Sequence, residues 1–259
     1  MLVYQSNLSA APPFDNIVWI NKEIITSKDP TTFQKLIYEG EQKIKMWVNI
    51  SKKVGGKNAR EKKLKVYVFT VYYEDNSSII IQATPKFESK EKAEEQALKY
   101  GKMIGRLPTF LKKEIKTIHL NKSDAGWFTG SAKGMIVIHA GFFATRGAAI
   151  EFHEELLVHE AGHASIGNAY TNLKTGKYLK KLEPEEWKLA VKADNKFVSE
   201  YSKYKGEDFP ESILAWIMVR YKKDRISEKT YNKIIESIPN RLKYFDEQNY
   251  DVYPLVYKQ

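Results

Sequence analysis

Three residues in the middle of the chain have the types and spacing for metal chemistry: His159, Glu160 and His163, in the run His159-Glu160-Ala161-Gly162-His163. On a helix, side chains four residues apart lie about 40° apart around the axis, so both imidazoles can reach one ion from the same face. Glu160 stands one step round and can reach a water on that ion. Neutral imidazoles suit Zn2+, and a carboxylate beside a zinc-activated water suits the work of a general base.

The elements around this run must hold it in place. Glu151 through Asn168 reads as a helix with Phe152, Leu156, Leu157, Val158, Ala161, Ala164 and Ile166 as its apolar positions. Gly162 inside a helix costs up to about 1 kcal/mol against alanine, so it predicts a close approach by another element. His153 falls about 80° from His163 and about 120° from His159 around the same axis. It is therefore excluded as a ligand and expected at the surface.

A catalytic zinc site needs a third protein ligand and an open position. The chain contains no cysteine, which removes thiolate sites, disulfides and cysteine nucleophiles together. No histidine follows His163 within the next six residues. A carboxylate is the remaining choice, and Glu183, Glu207 and Glu211 are the candidates. Glu207 and Glu211 sit one helical turn apart at the mouth of an otherwise apolar helix, where a carboxylate is costly to bury unless it meets a cation.

The chain has 259 residues, 42% of them hydrophobic, enough to bury a substantial core and far from the composition of a disordered chain. Forty-two Lys and Arg against 32 Asp and Glu give +10 and a pI near 9.3, which favours acidic partners at modest salt. No nucleic-acid-binding module accompanies that charge, so nucleic acid is not an expected partner. No apolar run is long enough for a membrane span, and the first 25 residues lack the layout of a signal peptide. Absence of cysteine suits both secreted bacterial proteins and the cytosol. The expected location is secreted or extracellular, with the cytoplasm as the alternative.

Taken in order, residues 1–30 read as an irregular arm, and Asp29-Pro30-Thr31-Thr32 as a helix start leading through Phe33, Leu36, Ile37, Ile44, Trp47 and Val48, ended by Gly55-Gly56. Leu64–Glu74 and Ser78–Pro85 read as a hairpin turning at Asp75-Asn76-Ser77. Ser89 caps a helix that Gly105-Arg106-Leu107-Pro108 stops. Residues from Ile115 to Leu120 and from Gly134 to Gly141 supply two more strands, and Ile136 to Ala140 is the candidate edge strand to line a cleft and pair with extended substrate. His119 and His139 are expected to be structural. Tyr170 to Lys181 reads as a polar loop, and a helix from Glu183 is expected to run through Phe197 and Tyr201. A buried helix spans Glu207 to Tyr221, and a last one begins at Ser227-Glu228 and stops at Pro239.

The run from His159 to His163, followed by Phe197-Val198-Ser199-Glu200-Tyr201 and by Glu207-Asp208-Phe209-Pro210-Glu211, resembles the catalytic domain of the anthrax lethal factor-like metallopeptidases, a branch of the gluzincin HExxH zinc enzymes. The resemblance covers about 70 residues, from Phe152 to Tyr221. It implies Glu207 as third zinc ligand, Glu160 as general base, Tyr201 as the hydroxyl that steadies the oxyanion, with Tyr204 as the alternative, and Glu211 as acceptor behind a ligand histidine.

The expected fold is α+β and zincin-like: a small mixed or antiparallel sheet with an edge strand over an active-site helix, then a mostly helical C-terminal part. Residues 1–62 are expected as an arm and helical segment and 63–259 as the metallopeptidase domain, the two possibly continuous. The expected activity is zinc-dependent endopeptidase cleavage of a protein or peptide. The alternative is an inactive zinc-binding or adhesion module on the same fold. Oligomeric state stays open.

Overall fold

The computed structural model describes residues 11–21, 23–49, 59–123, 128–129, 134–141, 152–165, 170–172, 177–179 and 184–256. They form an α+β structure around a six-stranded mixed sheet. Strands β1 (Phe33–Asn49), β2 (Ala59–Tyr73) and β3 (Ser78–Ala83) run antiparallel. Helix α1 (Lys90–Ile104) and the single turn α2 (Thr109–Lys112) cross over to β4 (Thr117–Asn121), which is parallel to β3. Strand β6 (Met135–His139) lies parallel to β4, and β5 (Phe128–Thr129) closes that edge antiparallel to β6.

The hairpin and the first crossover form where the sequence places them, for the expected reasons. Asn76 takes a left-handed φ of 60° while Asp75 accepts from the Ser77 N–H, which turns the chain between β2 and β3. Ser89 accepts from Lys92 N at 3.2 Å and starts α1, whose Ala93, Ala97, Tyr100 and Ile104 are buried against the sheet.

The expected helix over Phe33 to Val48 is instead the 17-residue strand β1. The register slips at Glu39, between Tyr38 opposite Phe69 and Gly40 opposite Val68, and Gly40 has a φ of 91°. This bulge inserts one residue and exchanges the two faces of the strand. Leu36 and Tyr38 face the main core with Phe69 and Val71, whereas Ile44, Met46 and Val48 join Leu64, Val66 and Val68 in a second cluster on the opposite face. A period of two broken by one extra residue mixes odd and even spacings and imitates a helix. The 62/63 boundary lies inside β2. Gly55 and Gly56 lie outside the described residues.

Helices dominate the second half. Helix α3 (His153–Ser165) carries the His-Glu-Ala-Gly-His run, and the short hairpin β7 (Tyr170–Asn172) and β8 (Lys177–Leu179) replaces the expected polar loop. Helix α4 (Glu185–Asp194) stops earlier than expected, because Asn195 caps it in the left-handed conformation, φ 47°. Helices α5 (Asp208–Tyr221), α6 (Glu228–Ser237) and α7 (Pro239–Asp246) complete the chain, and Pro239 begins α7 as well as ending α6, its missing N–H being no loss in a first turn.

Helix α5 is almost wholly buried, and α3 is packed among α1, α2, α5 and β5. That surrounds His153, which is 4% exposed with its ring 6.3 Å from Tyr100, so it is a core residue and not the surface residue expected. Nor is Ile136 to Ala140 an open edge. All five β6 residues are buried, with β5 hydrogen-bonded outside Ile136 and Val137.

Candidate metal centre

The site is made where α3 crosses the start of α5. A Cβ built on Gly162 would stand 3.0 Å from Pro210 Cα and 3.3 Å from the Ile213 side chain. Glycine at this position lets the two helix backbones approach, which brings Glu207, the residue preceding α5, over the histidines of α3. Glu207 Oε2 lies 3.1 Å from Nε2 of His159 and 3.1 Å from Nε2 of His163. The donor atoms of these three side chains all fall within 4.8 Å of one another, the one such group among the described residues.

Electrostatics at this junction are dominated by carboxylates. Burial alone would pull the His159 imidazole down, but Glu207 and Glu211 outweigh it and push it up to about 10. Burial likewise opposes ionisation of Glu207, and the two histidines overcome it, holding the carboxyl well below the usual carboxylate range. Among the described residues no Lys or Arg pairs with Glu207 or Glu211. Two imidazole nitrogens and one carboxylate oxygen converging with no Lys or Arg beside them among the described residues form a donor set suited to a divalent metal.

Behind His159, on the opposite side of its ring from Glu207, Glu211 Oε1 lies 3.2 Å from Nδ1. Glu211 has no exposed surface, and its other oxygen accepts from the Ile17 backbone N–H at 2.7 Å and the Ser199 hydroxyl at 2.6 Å. The N-terminal arm therefore reaches into the site. It also fixes the turn bearing Tyr201: Glu200 N donates to Phe14 O at 2.8 Å and Tyr201 N to Asp15 O at 2.9 Å. A second carboxylate of α3, Glu155, accepts from the N–H groups of Ile24 and Ile25 and holds the arm farther along.

Tyr201 places its ring 5.9 Å from that of His159, with Glu207 near enough for its charge to act on the Tyr201 hydroxyl. Burial first, then the charges of Glu207, Glu160 and Glu211, keep that hydroxyl protonated well above its ordinary range. Tyr204, the alternative, is 67% exposed and rests edge-on against Tyr201. Glu160 is buried at the same junction, near enough for its charge to act on Tyr201.

The structure thus brings together His159, Glu160, His163, Tyr201, Glu207 and Glu211, while Glu183 lies outside the described residues. His119 and His139 are buried in β4 and β6, with His139 bonded through Nδ1 to Ser123. Sequence reasoning missed the role of Ser199 and the arm's reach into the site. Ser199 stands inside the Phe197 to Tyr201 run and could have been read as a donor, whereas a backbone N–H such as that of Ile17 leaves no trace in a sequence. In comparisons with known proteins, no family model matches the chain, no curated protein matches it, and no solved structure matches its fold.

Proposed function

We propose that this protein is a zinc-dependent endopeptidase of gluzincin type on a zincin-like fold, with His159, His163 and Glu207 as metal ligands. One observation carries the reading: a single carboxylate oxygen of Glu207 stands 3.1 Å from the Nε2 atoms of both histidines of an H-E-x-x-H helix. A bound zinc ion there supplies a Lewis acid and lowers the pKa of water toward neutrality.

The chain's own residues carry the remaining work. Glu160 takes the proton of the water that attacks the peptide carbonyl carbon, and delivers it to the departing amine nitrogen as the C–N bond breaks. Tyr201, kept protonated by its surroundings, donates to the developing oxyanion. Glu211 orients the His159 ring through Nδ1, with Ile17 and Ser199 holding Glu211 in turn.

Elemental analysis of the purified protein beside its Glu207→Ala and Glu160→Gln variants, with cleavage of a mixed peptide library, tests this. The expected result is one zinc per chain in wild type and Glu160→Gln, little in Glu207→Ala, and cleavage by wild type alone. A wild type that takes up no zinc after reconstitution removes the proposal. Zinc binding with no cleavage of any peptide would leave a zinc-binding module in its place.

A further inference from the structure

The positive charge is concentrated in one place that the metal centre does not use. Residues 40–66 hold nine Lys and Arg against two Glu, +7 of the chain's +10. The described part of this stretch is the distal half of the β1–β2 ribbon, beyond Tyr67 where β3 begins to pair with β2.

On one face of this ribbon Lys43 stands directly opposite Lys65, and Lys45 directly opposite Lys63. The four residues are exposed, Lys45 and Lys65 with about 70% of their side-chain surface free. Like charges directly across a strand pair oppose its formation. Glu41 pairs with Lys65, and Glu61 lies 3.9 Å from Lys45. Lys43 and Lys63 have no ion pair among the described residues. Nothing in the fold requires this arrangement, because the other face already buries Met46, Val48, Val66 and Val68. A local conflict of this kind marks a surface kept for a partner.

We infer that the exposed face of Lys43, Lys45, Lys63 and Lys65 is a docking surface for an anionic lipid bilayer. The shape favours this partner. With Met46, Val48, Val66 and Val68 buried on its reverse face, the ribbon presents one side on which four lysines are rooted about 7 Å apart along the strand and about 5 Å across it at Cβ, flanked by Glu41 and Glu61. Base-edge readout of nucleic acid relies on Arg, Asn and Gln, whereas the four cations of this face are all lysine. Lysines are point charges without a fixed fork, suited to a laterally mobile sheet of headgroups.

Co-sedimentation of the full-length protein with vesicles tests this, comparing phosphatidylserine–phosphatidylcholine mixtures with phosphatidylcholine alone, at low and raised salt. Binding to the anionic vesicles only, weakened by salt, is expected. In K43Q/K45Q/K63Q/K65Q binding falls at least about tenfold, since each lysine near such a surface is worth roughly fivefold. That variant melts close to wild type, because the loss of two repulsive cross-strand pairs offsets the loss of the exposed pairs with Glu41 and Glu61. Equal binding by the variant, no preference for anionic vesicles, or tighter binding to duplex DNA than to vesicles overturns the inference.

Discussion

The backbone N–H of Ile17 donates to Glu211 Oε2 at 2.7 Å, across 194 positions of sequence. With the Ser199 hydroxyl at 2.6 Å, it fixes the carboxylate that backs His159. Ser199 also accepts from Ser202 N at 2.9 Å and so steadies the turn of Tyr201. Ser199→Ala is expected to fold with a loss of about 1 kcal/mol, the ordinary worth of a buried hydrogen bond. On the metallopeptidase reading, zinc affinity is expected to drop roughly tenfold, the lower end for a residue behind a ligand. Urea unfolding and a competitive zinc titration measure the two, and an unchanged affinity would show that Glu211 needs only the Ile17 N–H.

Gly162→Ala sets helix propensity against packing. Alanine recovers up to about 1 kcal/mol inside a helix. Its Cβ would stand 3.0 Å from Pro210 Cα, a backbone atom of α5 that moves only if the helix does. Overpacking dominates, with a net loss of about 1–2 kcal/mol. On the metallopeptidase reading, zinc affinity falls as well, because α3 and Glu207 are pushed apart. A stabilised variant with wild-type affinity would show that the interface yields freely.

Glu155 makes stability depend on pH. Burial pushes its carboxyl up to about 8, only partly offset by the N–H groups of Ile24 and Ile25, while its second oxygen is buried without a hydrogen-bond partner among the described residues. The folded protein then holds a proton that the unfolded chain releases near the ordinary value of 4.5. This contribution is complete below pH 4.5 and is lost as the pH rises to about 8. Glu155→Gln is expected to remove the dependence and to be more stable than wild type at pH 8 by ~1–3 kcal/mol. Chemical denaturation at the two ends of this range checks it, and parallel curves for both proteins would contradict it.

Tyr201 and Tyr204 separate by what each touches. Tyr201→Phe removes a hydroxyl within reach of the Glu207 charge while leaving the ring beside His159. On the peptidase reading, kcat falls about 10²-fold or more, as for loss of one oxyanion donor, with zinc content unchanged. Tyr204→Phe, at an exposed side chain, leaves kcat alone. The reverse pattern would exchange their roles.

Much of this site is legible in the amino-acid sequence because it rests on short-range geometry. A four-residue spacing puts His159 and His163 on one face of any helix, and Ser89, Asn76 and the alternation in β3 act on their nearest neighbours. What lies beyond that reach depends on partners distant in sequence. Glu207 is one of three open carboxylates until the packing of α5 on α3 through Gly162 sets it over both histidines. His153 stands outside the cluster of His159, His163 and Glu207, as its helical angle requires, yet it is buried, because burial is decided by what packs outside the helix. In β1, pairing with β2 and the bulge at Glu39 override a spacing that imitates a helix. The arm's role rests on the N–H groups of Ile17, Ile24 and Ile25, which every residue but proline possesses. Residue type and local period therefore determined the chemistry available, and tertiary contact alone decided which carboxylate meets the histidines and what holds it there.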